Sequence, residues 1–156
     1  SVYALSELDR GLHPKRLVVM AAFSFAPRIF KEFAQALSIR PALYYRVVRA
    51  FEQRVGKRLE DFDFARMVAE MPHIRGLVVH SPGDTVTPYA EARRFYDLWD
   101  GAAIFSPATG GHHLGTAETT NVVLDFAIQG NLPEKVEIQK FPVAGKHDLV
   151  RYFAGM

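Results

Sequence analysis

The chain contains no cysteine among its 156 residues. That absence excludes disulfide bonds, thiolate catalysis and metal sites built on cysteine, and it is typical of proteins in a reducing compartment. We therefore expect a cytoplasmic location. No apolar run approaches the roughly 20 residues that a membrane-spanning helix needs. The first residues also lack the basic and then apolar pattern of a secretion signal.

A strong charge of either sign is also missing. The 19 Lys and Arg residues exceed the 17 Asp and Glu residues slightly, which gives a net charge of +2 with histidine neutral. That excess is too small to predict binding to nucleic acid or to a membrane surface. The length is typical of one domain, and an apolar content of 49% is ordinary for a globular protein with a buried core.

What the chain does contain is an alternation of strand and helix patterns. Short, apolar runs rich in β-branched residues predict buried strands. Between and around them, apolar residues at helical spacing predict helices. The predicted strands are 15–22, 74–80 and 102–106, and the predicted helices around them are 2–10 with Gly11 as C-cap, 88–99, and 116–129 with Thr116 as N-cap and Gly130 closing it. This order predicts an α/β fold with a parallel sheet, right-handed crossovers and flanking helices.

Three helices in succession are predicted between the first two strands. Pro27 and Pro41 suit the first turn of a helix, and Gly56 suits the end of the second one. Aspartates 61 and 63 can cap the third, which Pro72 stops. The predicted inward residues of the second helix are Leu43, Val47, Val48, Phe51 and Val55, with Arg46, Arg49 and Arg54 outward. Three helices without a strand predict an insertion at about 27–71 that caps one end of the sheet.

The stretch 77–88, Leu-Val-Val-His-Ser-Pro-Gly-Asp-Thr-Val-Thr-Pro, carries an acid directly after a predicted strand. Ligands and catalytic groups lie outside the carboxyl ends of parallel strands, so Asp84 is a candidate site residue. His112, in Gly-Gly-His-His, comes 28 residues later, after the next predicted strand. A carboxylate and a histidine at one sheet edge can form a pair in which the acid orients the imidazole as a general base.

Other interpretations of these residues stay open. Asp84 is also a typical turn or helix-capping residue, and His112 could be a loop histidine bonded to the backbone. His113 is the alternative base, because a shift of one residue in the loop would exchange the two histidines. A metal site on this pair is disfavoured, since adjacent side chains diverge. We expect His80 to be a partly buried histidine with its hydrogen bonds satisfied, and Ser24 lacks the flanking glycines of a nucleophile.

Taken in order, these motifs resemble the C-terminal half of the α/β-hydrolase fold. The matching features are the turn Gly83-Asp84 shortly before Pro88, the strand Ala103-Ile104-Phe105, and the dipeptide Gly111-His112. Residues 4–19 resemble the helix and strand that follow the nucleophile in that family. The resemblance covers about residues 1–130 and leaves 131–156 as a C-terminal extension, with an extended piece at 136–141 and a short helix at 147–154. The family order of acid before histidine is kept.

The resemblance implies serine-type hydrolysis of an ester, thioester or similar acyl bond, without a cofactor. Asp84 would orient His112, which would activate a serine. The G-x-S-x-G sequence that carries this serine in the family is absent, however. The resemblance places the nucleophile a few residues before Ser1, which itself lacks flanking glycines. We therefore expect the 156-residue chain to be inactive alone.

Two alternatives belong to other classes of function. The chain could be a binding module that keeps the hydrolase scaffold and its pocket without catalysis. It could also be a fragment that functions only when paired with another chain, either a missing N-terminal half or a second copy of itself, because missing strands would leave an open sheet edge. The expected partner of the enzyme is a small acyl substrate.

Overall fold

The fold is built on a three-stranded parallel sheet. The structure, a computed structural model, describes residues 2–108 and 110–133. Strands β1 (Arg16–Met20), β2 (Arg75–Val79) and β3 (Ala103–Phe105) lie side by side in the order β1-β2-β3. Met20 is opposite Val79, and Val79 is opposite Phe105, so the three carboxyl ends are level at one edge. The predicted parallel α/β architecture is confirmed.

Helices precede, separate and follow the strands in the predicted order. They are α1 (Val2–Ser6), α2 (Ala26–Ala36), α3 (Pro41–Val55), α4 (Phe64–Ala69), α5 (Tyr89–Leu98) and α6 (Ala117–Gln129), with short 3-10 turns at Arg10–Leu12 and Leu59–Asp61. Helices α2 to α4 come between β1 and β2, which nevertheless pair directly. The insertion predicted at this point of the chain is therefore present.

Individual residues mark four of the helix ends. Pro41 opens α3, and Gly56 ends it with a φ of 74°, in the left-handed region that favours glycine. The Thr116 hydroxyl accepts the amide N–H of Thr119 at 3.1 Å and caps α6. Gly130 ends α6 with a φ of 81°. All four ends agree with the sequence-based prediction.

The two aspartates predicted to cap the third helix cap different elements. Asp61 accepts the N–H of Arg58 at 2.9 Å and closes the 3-10 turn. Asp63 accepts the N–H of Arg66 at 3.2 Å and caps α4. Asp61 belongs to the separate 3-10 turn Leu59–Asp61, so α4 begins only at Phe64, and it ends at Ala69, before Pro72.

The sheet is covered on both faces. Val78 of β2 packs with Phe95 of α5 and with Trp99, which directly follows that helix, in a cluster that also includes residues of α4. Its neighbours Leu77 and Val79 pack on the opposite face, in a cluster with Phe126 of α6. Because both faces of β2 are buried, its apolar residues follow one another without alternation.

Two details of the prediction are wrong. Helix α1 ends at Ser6 rather than near residue 10, and Gly11 lies inside a 3-10 turn instead of capping a helix. The Ser6 hydroxyl donates to the carbonyl of Tyr3 at 2.8 Å. Serine hydroxyls bonded in this way compete with regular helix formation, which is consistent with the early end.

The burial of α3 also differs from the prediction. Leu43, Val47 and Val55 were expected to face inward but are 51%, 48% and 37% exposed. Only Val48 and Phe51 pack, in a small cluster with residues of α2 and the second 3-10 turn. The helix lies at the outside of the insertion and is covered on one side, and apolar periodicity does not reveal that position.

The C-terminal features lie outside the described residues. These are the extended piece at 136–141 and the helix at 147–154, so the domain boundary at 130 stays a prediction. Within the described ranges, no helix is long and apolar enough to cross a membrane.

Candidate active site

Asp84 lies in the loop that follows β2, at the level sheet edge. Its side chain is fully buried. Oδ1 accepts the backbone N–H groups of Val86 and Thr87, each at 2.8 Å. Two bonds to one oxygen fix the carboxylate and leave Oδ2 to face the neighbouring loop. Asp84 therefore stabilises the turn before α5 but does not cap that helix, and its second oxygen makes a further contact.

That second contact is His112. Its Nδ1 lies 3.0 Å from Oδ2 of Asp84, and its side chain is 22% exposed. His113 is more exposed, and its ring lies 6.1 Å from the ring of His112, centroid to centroid. The structure therefore brings Asp84 and His112 together, with His112 rather than His113 beside the acid. The described residues contain no group of three His, Asp or Glu side chains that could hold a metal ion.

Ser81 links the loop of Asp84 to the loop of His112, a role that was not predicted from the sequence. Its buried hydroxyl donates to the carbonyl of Gly110 and accepts the N–H of Gly83 at 3.2 Å. Gly110 has a φ of 112°, a conformation that disfavours other residues. A polar side chain directly after a buried strand was the only sequence signal for this link.

His80 is fully buried beside the pair, which corrects the expectation of a partly buried, satisfied histidine. Its Nε2 lies 2.8 Å from the Thr87 carbonyl and 3.4 Å from Oδ2 of Asp84. Its Nδ1 is buried without a hydrogen-bond partner among the described residues. Burial lowers the pKa of His80 below the usual 6.5, although the Thr87 carbonyl and the Asp84 carboxylate act in the opposite direction. His80 is therefore neutral at pH 7, with Nε2–H donated to Thr87.

A cavity of about 550 Å³ extends from His112 towards the inserted helices. It is lined by the residues that follow β1, by α2 and α3, and by the Asp84 loop. These residues are Ala21, Ala22, Phe23, Ile29, Phe30, Phe33, Ala34, Ile39, Tyr44, Val47, Val86, Thr87 and His112. The site thus combines an acid–histidine pair with an adjoining, largely apolar cavity.

Ser24 belongs to a separate polar cluster. It is fully buried, and its hydroxyl and N–H both donate to Oε2 of Glu91, at 2.5 and 2.7 Å. Arg28 pairs with the other oxygen of Glu91 at 2.9 Å, and Arg94 donates two hydrogen bonds to Asp63. Burial raises the pKa of Asp63, but the bonds from Arg94 and the Arg66 N–H outweigh it, and the pKa is lowered. This cluster joins the inserted helices to α5.

Comparisons with known proteins bear on the fold. No family model and no curated protein matches the chain. One solved structure is similar: the crystal structure of MGS-M2, an alpha/beta hydrolase enzyme from a Medee basin deep-sea metagenome library. The TM-score is 0.52 at 15% sequence identity, and the match covers 88% of this chain and 63% of that one, so this chain spans less than two thirds of that hydrolase. The likeness supports an α/β-hydrolase-like fold for this chain.

Proposed function

We propose that the protein is, in its intact form, a serine-type hydrolase of ester, thioester or similar acyl bonds. The observation that carries this proposal is the 3.0 Å contact between His112 Nδ1 and Asp84 Oδ2 at the carboxyl edge of the sheet. The α/β-hydrolase character of the structural neighbour supports the same class of reaction.

In this mechanism Asp84 acts on His112 through one hydrogen bond. The carboxylate accepts Nδ1–H, which fixes the tautomer in which Nε2 is the acceptor nitrogen. Nε2 takes the proton of a serine hydroxyl as the serine oxygen attacks the acyl carbon, and then returns that proton to the leaving group. Water releases the acyl group by the same steps. The buried carboxylate stabilises the imidazolium that forms in between.

The serine itself is proposed to lie outside these 156 residues, since the sequence contains no G-x-S-x-G. Ser24 is an unsuitable nucleophile, because its hydroxyl is fully buried and bonded to Glu91. Ser81 is similarly bonded, to Gly110. We therefore propose that these residues supply the acid and the base and do not turn over substrate alone.

The edge of the sheet favours a second proposal, that this chain functions when paired with a further segment or a second copy. Strand β1 is an edge strand in the described part of the chain, and Met20 at its end is 41% exposed. Leu124 and Ile128 of α6 are 50% and 66% exposed. An open edge next to exposed apolar residues invites pairing. Sedimentation of the purified chain as a stable monomer would contradict this second proposal.

The test of hydrolysis uses the protein as its gene encodes it and a panel of aryl esters. His112→Ala should lower kcat/KM by about 10³-fold or more, because the general base is lost. His113→Ala is the matched control and should stay within about tenfold, since it is Nδ1 of His112 that lies 3.0 Å from Oδ2 of Asp84. Equal losses in the two variants, or activity that survives His112→Ala, would refute the assignment.

A further inference from the structure

The cavity beside His112 is apolar to an extent that restricts what can occupy it. None of the described residues that line it is Asp, Glu, Lys or Arg. Apart from His112, the lining side chains that carry polar atoms are Thr87 and Tyr44. Burial is the largest of the causes that raise the pKa of the Tyr44 hydroxyl, so it stays neutral at pH 7. A volume of about 550 Å³ is within the range of small-molecule sites, about 300–1,000 Å³.

The walls of this cavity are apolar side chains that the protein leaves partly uncovered. Ile29, Phe30 and Phe33 of α2 are only half-buried, although their helix packs against the rest of the insertion. Val47 of α3 is 48% exposed. An apolar ligand in the cavity would remove these surfaces from water, which is the main favourable term in such binding.

The cavity also extends to His112, the proposed general base. His112 lines it, as does Ala21, the first residue after β1. A group bound between α2, α3 and the sheet edge would therefore lie next to the bond on which His112 acts. Because the apolar cavity adjoins the proposed general base, the substrate group next to the reacting bond should itself be apolar.

We propose that the cavity binds the uncharged, apolar aliphatic or aromatic portion of a neutral ester or thioester, and that it excludes substrates with a charged group at that position. The link to hydrolysis rests on the proposed function, but binding does not. An ionised group in this cavity would lose water without gaining a partner of opposite charge, which is strongly unfavourable.

The test compares two ligands of similar length. Methyl hexanoate is neutral, and monomethyl adipate carries a carboxylate at the far end of its chain. NMR titration of the isotope-labelled protein should show that methyl hexanoate binds at least about tenfold more tightly, because the carboxylate has no partner in the cavity. Equal affinities would overturn the proposal.

Two substitutions on α3 locate the binding. Val47 and Leu43 are one helical turn apart and similarly exposed, at 48% and 51%, but only Val47 lines the cavity. Val47→Asp should weaken methyl hexanoate binding by about tenfold, because it places a charge in the wall. Leu43→Asp should change it by less than about twofold, since it lies outside the cavity. Circular dichroism and thermal unfolding check that both variants are folded. Equal effects of the two substitutions would overturn the assignment of the site.

Ligand binding in the cavity and ester hydrolysis can be refuted separately. Binding that depends on Val47, without any ester hydrolysis by the protein as its gene encodes it, would support the cavity assignment and refute the hydrolase. Hydrolysis of methyl hexanoate and monomethyl adipate with equal kcat/KM values would overturn the cavity assignment while the hydrolase stands. His112→Ala should abolish turnover and still bind methyl hexanoate within about fivefold, because His112 is one of many lining residues.

Discussion

Substituting Asp84 by asparagine separates the catalytic role of this residue from its role in the turn. The isosteric amide can keep its oxygen on the N–H groups of Val86 and Thr87. Its NH₂ group then faces Nδ1 of His112. In the parent protein, Oδ2 of the carboxylate lies there instead, 3.0 Å from Nδ1, and accepts the Nδ1–H. His112 would have to accept at Nδ1 and carry its proton on Nε2. In that tautomer it cannot take a proton from the nucleophile.

The expected loss of kcat in Asp84→Asn is on the order of 10⁴-fold, the scale found when the acid of a Ser–His–Asp triad is replaced by its amide. Stability should fall by about 1.5–3 kcal/mol, the range for a hydrogen bond to a charged group. Ester hydrolysis measures the first effect and urea unfolding the second. With a slope of about 1–3 kcal/mol per molar urea, the midpoint should move by roughly 1 M.

The matched control is Asp97→Asn. Asp97 is 53% exposed and pairs with Arg93 on the surface of α5 at 3.2 Å. Such a pair contributes about 0.3–0.5 kcal/mol, so the control should be close to the parent protein in stability and activity. If Asp84→Asn loses stability but keeps kcat within tenfold of the parent, Asp84 is a turn residue only and the catalytic reasoning is wrong.

Three further substitutions test the surroundings of the pair and the packing of the sheet. Because burial lowers the pKa of His80, the free energy of unfolding should fall as the pH drops below 6.5, by at most about 1.4 kcal/mol per pH unit. Urea unfolding of His80→Gln between pH 7 and pH 5 should show a smaller fall. The same pH dependence in the variant and the parent protein would contradict this. Gly76→Ala would place a Cβ atom 2.8 Å from the ring of Trp99, so the free energy of unfolding should fall by about 1–3 kcal/mol, measured by thermal unfolding. An unchanged Tm would show that the indole moves freely. Ser81→Ala removes the hydrogen bond to Gly110 and should lower kcat by about 10-fold to 100-fold, with an unchanged circular dichroism spectrum. Full activity would show that this bond does not position the loops.

Much of the fold could be predicted because its determinants are local. The continuous apolar run that became β2 has both faces buried, and its composition indicated that directly. Pro41, Gly56 and Thr116 each mark a helix end through their own backbone preferences or hydroxyl. The exposure of Leu43 depends instead on which elements cover α3, and that is a property of the whole chain.

Part of the candidate site could likewise be predicted from the sequence, and part of it could not. Asp84 and His112 each follow a strand, and consecutive parallel strands bring their carboxyl ends to one edge, so their proximity could be predicted. The choice between His112 and His113 depended on the backbone of the intervening loop. The bond between Ser24 and Glu91 joins residues 67 positions apart, and neither residue carries a local signal for it.

The most direct test of the central claim is labelling by a fluorophosphonate, a reagent that reacts with serines activated by a histidine. We expect the protein as its gene encodes it to be labelled on one serine, located by mass spectrometry. The labelling rate should fall by about 10³-fold or more in His112→Ala, because His112 activates that serine. Absence of labelling, or a rate that is unchanged in His112→Ala, would contradict the account.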